Sequence, residues 1–128
     1  FILLVKIMAT IGAALENATN DFRAGQKELE ALMISKQQYL TQNYENEMVL
    51  QELKLLGDDS QVFKMVGPAM VKKDTKESIN NVQTRLDLIK RELARIEKTQ
   101  SSVEKKVRES KEKLAQLEHY AKAQAQKR

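Results

Sequence analysis

The chain has 128 residues, of which 31% are charged and 5% aromatic, with one Pro, no Trp and no Cys. That length gives one domain, and this composition excludes an ordinary globular core, a disulfide framework and thiol chemistry, and points instead to long helices that pack as coiled coils. The formal charge of +4 is uneven, with 5 basic and 7 acidic side chains in residues 1–57 against 17 and 11 in residues 58–128.

The chain opens on Phe1-Ile-Leu-Leu-Val5, an apolar run ended by Lys6. No apolar run reaches the ~18 residues that a bilayer span needs. No basic stretch precedes it, as a secretory signal would require. Met8-Ala9-Thr10 resembles an ordinary start, so residues 1–7 read as a non-native or upstream extension and residues 8–128 as the domain.

The first helix is expected over residues 10–56, with Thr10 as its N-cap and Gly57 in the position where a left-handed residue commonly ends a helix. Its apolar seam reads Ile11, Leu15, Ala18, Phe22, Leu29, Leu32, Tyr39, Leu50 and Leu53. Lys36, Asn43 and Asn46 fall on core positions, and Gly25 leaves a gap. Polar residues at such positions cost stability but fix register.

Asp58-Asp-Ser60 is turn chemistry. Residues 61–73 break the helical period. Two short runs rich in β-branched and apolar residues flank Gly67-Pro68: Val62, Phe63, Met65 and Val66 in the first, Met70 and Val71 in the second. They predict a β-hairpin over 61–73, with Gly67 and Pro68 in its turn. A lone two-stranded hairpin is marginal in water, and its open edges invite pairing with other chains. These eight residues are therefore the expected assembly surface.

Asp74-Thr-Lys-Glu77 resembles a capping box, and the second helix is expected over residues 75–124. Its seam is the cleaner one: Ile79, Val82, Leu86, Ile89, Leu93, Ile96, Val103, Val107, Leu114, Leu117 and Ala121, interrupted only by Gln100 and Ser110. Steps of three and four alternate. A strict period of 3.5 stays on one face only if the helix supercoils left-handedly around a partner.

Ile11 and Gln124 are equidistant from Gly67-Pro68. Two arms of about 46 residues, ~70 Å each at 1.5 Å per residue, thus predict a mostly α fold: a long antiparallel two-helix coiled-coil hairpin with one central β-hairpin. Both chain ends then meet at the far end, where helices fray. Ile11, Leu15 and Phe22 on one helix and Leu114, Leu117 and Tyr120 on the other form a second candidate surface there, offering adaptable apolar contacts of low sequence specificity.

Nothing points to catalysis or to a cofactor. His119 stands alone on a polar stretch, the four Gly are scattered rather than gathered in a phosphate loop, and no His/Cys cluster offers metal ligands. The basic second half suits an acidic partner surface, but its Lys and Arg are interleaved with Glu rather than clustered as nucleic-acid binding favours.

The stretch from Glu47 to Lys73 closely resembles the central motif of β-type prefoldins, above all in Val62-Phe-Lys64, Val66-Gly-Pro68 and Val71-Lys-Lys73, and within that family it is most similar to subunit 6. Thr84-Arg-Leu-Asp-Leu-Ile89 adds to the likeness, which is strong over residues 45–97 and consistent in length over 8–125. The resemblance implies a hexamer of two α-type and four β-type subunits, whose β-hairpins form a double barrel from which six coiled coils project. It implies no catalysis and no ATP. It further implies a cytoplasmic co-chaperone that captures unfolded polypeptides, actin and tubulin chains among them, and passes them to the group II chaperonin. The competing reading, from charge and heptads alone, is a coiled-coil scaffold or RNA-binding arm of a larger assembly.

Overall fold

The computed structural model describes residues 1–58 and 68–126. They form two helices, α1 (Ile2–Asp58) and α2 (Pro68–Gln126). Among the described residues there is no strand.

Helix α1 begins at the very first turn, where the Val5 amide donates to the Phe1 carbonyl at 3.0 Å. Residues 2–7 are continuous with the helix. Thr10 is therefore not an N-cap. Its hydroxyl donates back to the Lys6 carbonyl at 2.9 Å, the bond of a Thr inside a helix. The run of Leu, Ile, Met and Ala through this stretch favours the helix, and Leu4 and Ile7 extend the seam, both half-buried. Averaged over 18 residues, this part of α1 reaches a mean hydropathy of 1.4, enough by length and composition alone to cross a bilayer. Lys6 breaks the contiguous run but not the average. Ile11 and Ala18 in this region are buried, the use a coiled coil makes of such side chains.

Helix α2 begins at Pro68 rather than Thr75. Residues 69–73, expected as the second strand with Met70 and Val71, lie inside it, and so does the expected capping box. The reason is local. Proline at the first helical position loses no hydrogen bond, and its fixed φ already suits a helix. A lone two-stranded hairpin is marginal in water, so a strand has little to set against the helix there. Val62, Phe63, Met65, Val66 and Gly67 lie outside the described residues. The far ends, Asp58 and Gln126, match the expected 56 and 124 to within the usual fraying of helix ends.

The seams run as their spacing dictates. On α2 the steps of three and four hold from Thr75 through Gln124, and every seam position is buried or half-buried, Gln100 and Ser110 included. Val82, Leu86, Ile89, Ile96 and Val103 are its most buried apolar residues. On α1 the alternation is regular from Ala18 to Leu53. Two consecutive steps of four, from Ile7 to Ile11 to Leu15, precede it. An inserted step of this kind locally unwinds the supercoil.

The chain divides into two compact units, Phe1–Met33 with Lys98–Arg128 and Ile34–Glu97. In the first, α1 and α2 run antiparallel, and a Cβ built on Gly25 would stand 2.5 Å from Val107 Cγ2 and 3.7 Å from Val107 Cβ. At Gly25 the missing side chain makes room for the β-branched Val107 on the facing helix. Carrying this register along the antiparallel pair sets Phe22 across from Ser110 and Ala18 across from Leu114, large facing small, the alternation that fills a narrow core.

This gives opposite expectations for two glycines. Gly12 has nothing within 4 Å of its would-be Cβ, so Gly12→Ala is expected to stabilise by up to ~1 kcal/mol through helix propensity. Gly25→Ala gains the same term but drives a methyl into Val107, whose χ1 is stiff in a helix. Overpacking costs about 1–3 kcal/mol, so a net loss is expected. In a Val107→Ala background the same substitution turns stabilising. Chemical denaturation of the four proteins checks this, and additive effects of Gly25→Ala and Val107→Ala would refute it.

In the second unit the seam is more polar. Asn46 satisfies itself, its side-chain amide donating to the Gln42 carbonyl at 2.7 Å. Asn43 does not: its Oδ1 is buried without a hydrogen-bond partner. An unmet buried acceptor costs about 1–3 kcal/mol, so Asn43 weakens the α1 seam at its position. On α2, Arg95 donates twice to Glu92 Oε2, from Nε at 3.1 Å and from a terminal nitrogen at 2.8 Å. That hydrogen bond first, and the Glu92 charge second, raise the Arg95 pKa above its ordinary value. Arg95 is exposed, so the pair is a surface feature of small energetic weight.

Candidate functional site

Two surfaces were expected to carry function. The described residues bear directly on one of them, the end of the hairpin where residues 1–22 meet residues 110–126. Ile11, Leu15, Phe22, Leu114 and Leu117 all take seam positions there. Ile11 is buried, the other four are half-buried, and each is spent on holding the helix pair together. Only Tyr120 of the six is exposed, at 48%.

The apolar area open at this end comes from residues set aside as an extension. Phe1 is 99% exposed and Ile2 73%, while Leu3, Val5 and Met8 are exposed as well. Leu4 and Ile7 point into the seam between them. The first turns of α1 are thus apolar on most sides, Lys6 apart: one face packs, and the rest is left uncovered by the described residues. A helix apolar on every side is ordinarily buried. The signal was present in the sequence as an unbroken Phe-Ile-Leu-Leu-Val run, whose reading as helix waited only on its continuity with Ile11.

A shallow cavity of about 400 Å³ lies beside Gly25, lined by Asp21, Glu28, Glu109, Lys106 and Lys113 among others. Its mixed charges offer no convergent chemistry. Among the described residues no group of His, Asp or Glu is placed to hold a metal ion. His119 is exposed. The geometry is that of a helix pair with apolar side chains left exposed at one end.

The prefoldin subunit family model matches residues 16–120. The chain belongs to the prefoldin family. It is 36% identical over 104 residues to prefoldin subunit 6 of Arabidopsis thaliana, covering 81% of each chain. It is 35% identical over 114 residues to prefoldin subunit 6 of Homo sapiens, covering 88% of each. It is 32% identical over 122 residues to a probable prefoldin subunit 6 of Caenorhabditis elegans, covering 91% of this chain and 97% of that one. No solved structure gives a significant match. Prefoldins are chaperone subunits, and a prefoldin chaperone subunit accounts for what the helix pair presents: a long seam and no reaction centre among the described residues.

Proposed function

We propose that this chain is a β-type subunit of a hexameric, cytoplasmic prefoldin, an ATP-independent holdase that captures unfolded polypeptides, actin and tubulin among them, and delivers them to the group II chaperonin. The observation that carries the reading is the apolar surface left open at the paired chain ends, combined with membership of the family. Flexible apolar contacts without shape demands hold many different unfolded chains weakly and together.

In this reading the two halves of the job sit on different parts of the sequence. Assembly belongs to residues 61–73, where Val62, Phe63, Met65, Val66, Met70 and Val71 surround Gly67-Pro68. Strand pairing there is a property of the complex, since the edges come from partner subunits. Client contact belongs to the other end, through Phe1, Ile2, Leu3, Val5, Met8 and Tyr120, with Ile11, Leu15, Phe22, Leu114 and Leu117 joining as the pair frays.

Native mass spectrometry of the complex purified through this chain tests the proposal. A six-subunit species that suppresses aggregation of denatured actin without ATP is expected. Recovery of nucleic acid with steep salt dependence, or of a complex without client protection, would instead support the RNA-binding arm or the scaffold.

A further inference from the structure

Along α2 the sequence alternates acid and base, but the helix sorts them by side. The seam runs through Leu93, Ile96, Gln100, Val103 and Val107, all buried or half-buried. Arg91, Lys98 and Lys105 recur every seven residues at the position farthest from that seam, and Arg95 and Arg108 lie to either side of them. All five are exposed, and the other outward positions from 91 to 108 hold only Ala94, Ser101 and Ser102. The acids of the same stretch, Glu92, Glu97 and Glu104, all fall beside the seam. Glu92 accepts from Arg95, and Glu104 accepts from the seam residue Gln100, whose Nε2 donates at 3.2 Å. The outward face is therefore of one sign.

A face of one sign is not what a solvated helix gains from. Opposite charges three or four residues apart support a helix, and like charges at that spacing weaken it. Arg91 with Arg95, and Lys105 with Arg108, are like-charged pairs at those spacings. Among the described residues Arg91, Lys98, Lys105 and Arg108 have no ion-pair partner. An anion laid along the face removes the repulsion. The face lacks what two other anions need, since it carries no aromatic side chain on which bases could stack and no large apolar one to enter a bilayer. A nucleic-acid duplex presents a charge every ~1.7 Å, whereas Lys98 and Lys105 stand ~10.5 Å apart along the helix. Carboxylates on a polypeptide match that spacing, at seven residues of a second helix or three of an extended chain.

We propose that this face of α2 binds an acidic segment of another polypeptide, one whose Asp or Glu side chains recur ~10 Å apart. Lys98, Lys105 and Arg108 hold it, and Arg91 and Arg95 extend the line along the same helix. Ala94, Ser101 and Ser102 are small enough to let the partner's backbone come close. The contact is electrostatic and exposed, so each ion pair is worth little, encounter is fast, and affinity falls as salt rises. This surface shares no residue with the apolar chain end or with residues 61–73, so it does not rest on the client and assembly roles proposed for them.

Fluorescence anisotropy of a labelled oligoglutamate, titrated with the full chain, tests this. The stripe variant carries Lys98→Gln, Lys105→Gln and Arg108→Gln. The control carries Arg23→Gln, Lys27→Gln and Lys122→Gln, which removes the same charge at exposed positions elsewhere. Gln matches Lys and Arg in helix propensity, and circular dichroism verifies that both variants fold like the parent. The parent is expected to bind the oligoglutamate and to release it as salt is added. Loss of three exposed ion pairs predicts about tenfold weaker binding by the stripe variant, with the control within about twofold of the parent. An RNA oligonucleotide of equal charge is expected to bind the parent no more tightly than the oligoglutamate does. No binding by the parent, a control as weak as the stripe variant, a stripe variant as strong as the parent, or a parent that prefers RNA would overturn the proposal.

Discussion

Val66→Asp and Val71→Asp are each expected to abolish recovery of this chain with its partner subunits while leaving helix content nearly unchanged. The spacing of the apolar side chains in residues 61–73 breaks the helical period, and Gly67-Pro68 interrupts them. In the isolated chain α2 reaches back to Pro68, which costs the helix nothing at its first position. Under the proposed function, the same residues gain in a complex from pairing with edges that other subunits supply. An aspartate placed in such a contact must be buried without a counter-charge, at a cost of several kcal/mol. Every 1.4 kcal/mol is a factor of ten in affinity, so the loss amounts to several orders of magnitude. Val66→Ile and Val71→Ile, which keep the branch and the polarity, are expected to assemble normally. Co-purification with tagged partners reads the outcome, and full recovery of the complex with both aspartates would remove residues 61–73 from the assembly surface.

What spacing determines was legible in the chain. Burial in a two-helix coiled coil depends only on which side chains recur every 3.5 residues, and Ile79 through Ala121 could be placed one by one; each is buried or half-buried. Even Gln100 and Ser110, read as interruptions, keep their seam positions because the helix cannot leave register for one residue. Helix starts were less legible. A capping signal such as Thr10 or Asp74-Thr-Lys-Glu77 is worth about 1 kcal/mol, and a helix already nucleated on either side runs through it. Gly25 misled for a different reason. A glycine at a core position reads as missing volume until the partner residue is known, and Val107 fills it. The basic face of α2 went unread because signs that alternate along a sequence separate only when the helix turns them to different sides.

Truncating the open end is expected to separate capture from assembly. Removing residues 1–8 together with Tyr120→Ser deletes the fully exposed apolar surface there but leaves Ile11, Ala18 and the seam beyond them in place. At ~25 cal/mol per Å², the loss of even a few side chains the size of Phe1 and Leu3 withdraws several kcal/mol from any unfolded chain that covers them. Residues 1–8 and Tyr120 lie far along the sequence from residues 61–73, and distant sites act nearly independently. The complex is expected to form with unchanged stoichiometry. Protection of denatured actin is expected to fall, but not to zero, because the coiled coils of the other subunits still bind the same client and multivalent capture survives the weakening of one arm. Light scattering of diluted actin, at a series of chaperone ratios, measures the difference. The shorter truncation is the informative one, since it spares Leu15, Phe22, Leu114 and Leu117, whose removal would loosen the pair itself. If the truncated complex protects actin as well as the full chain at every ratio, the open end of this subunit is not where clients bind.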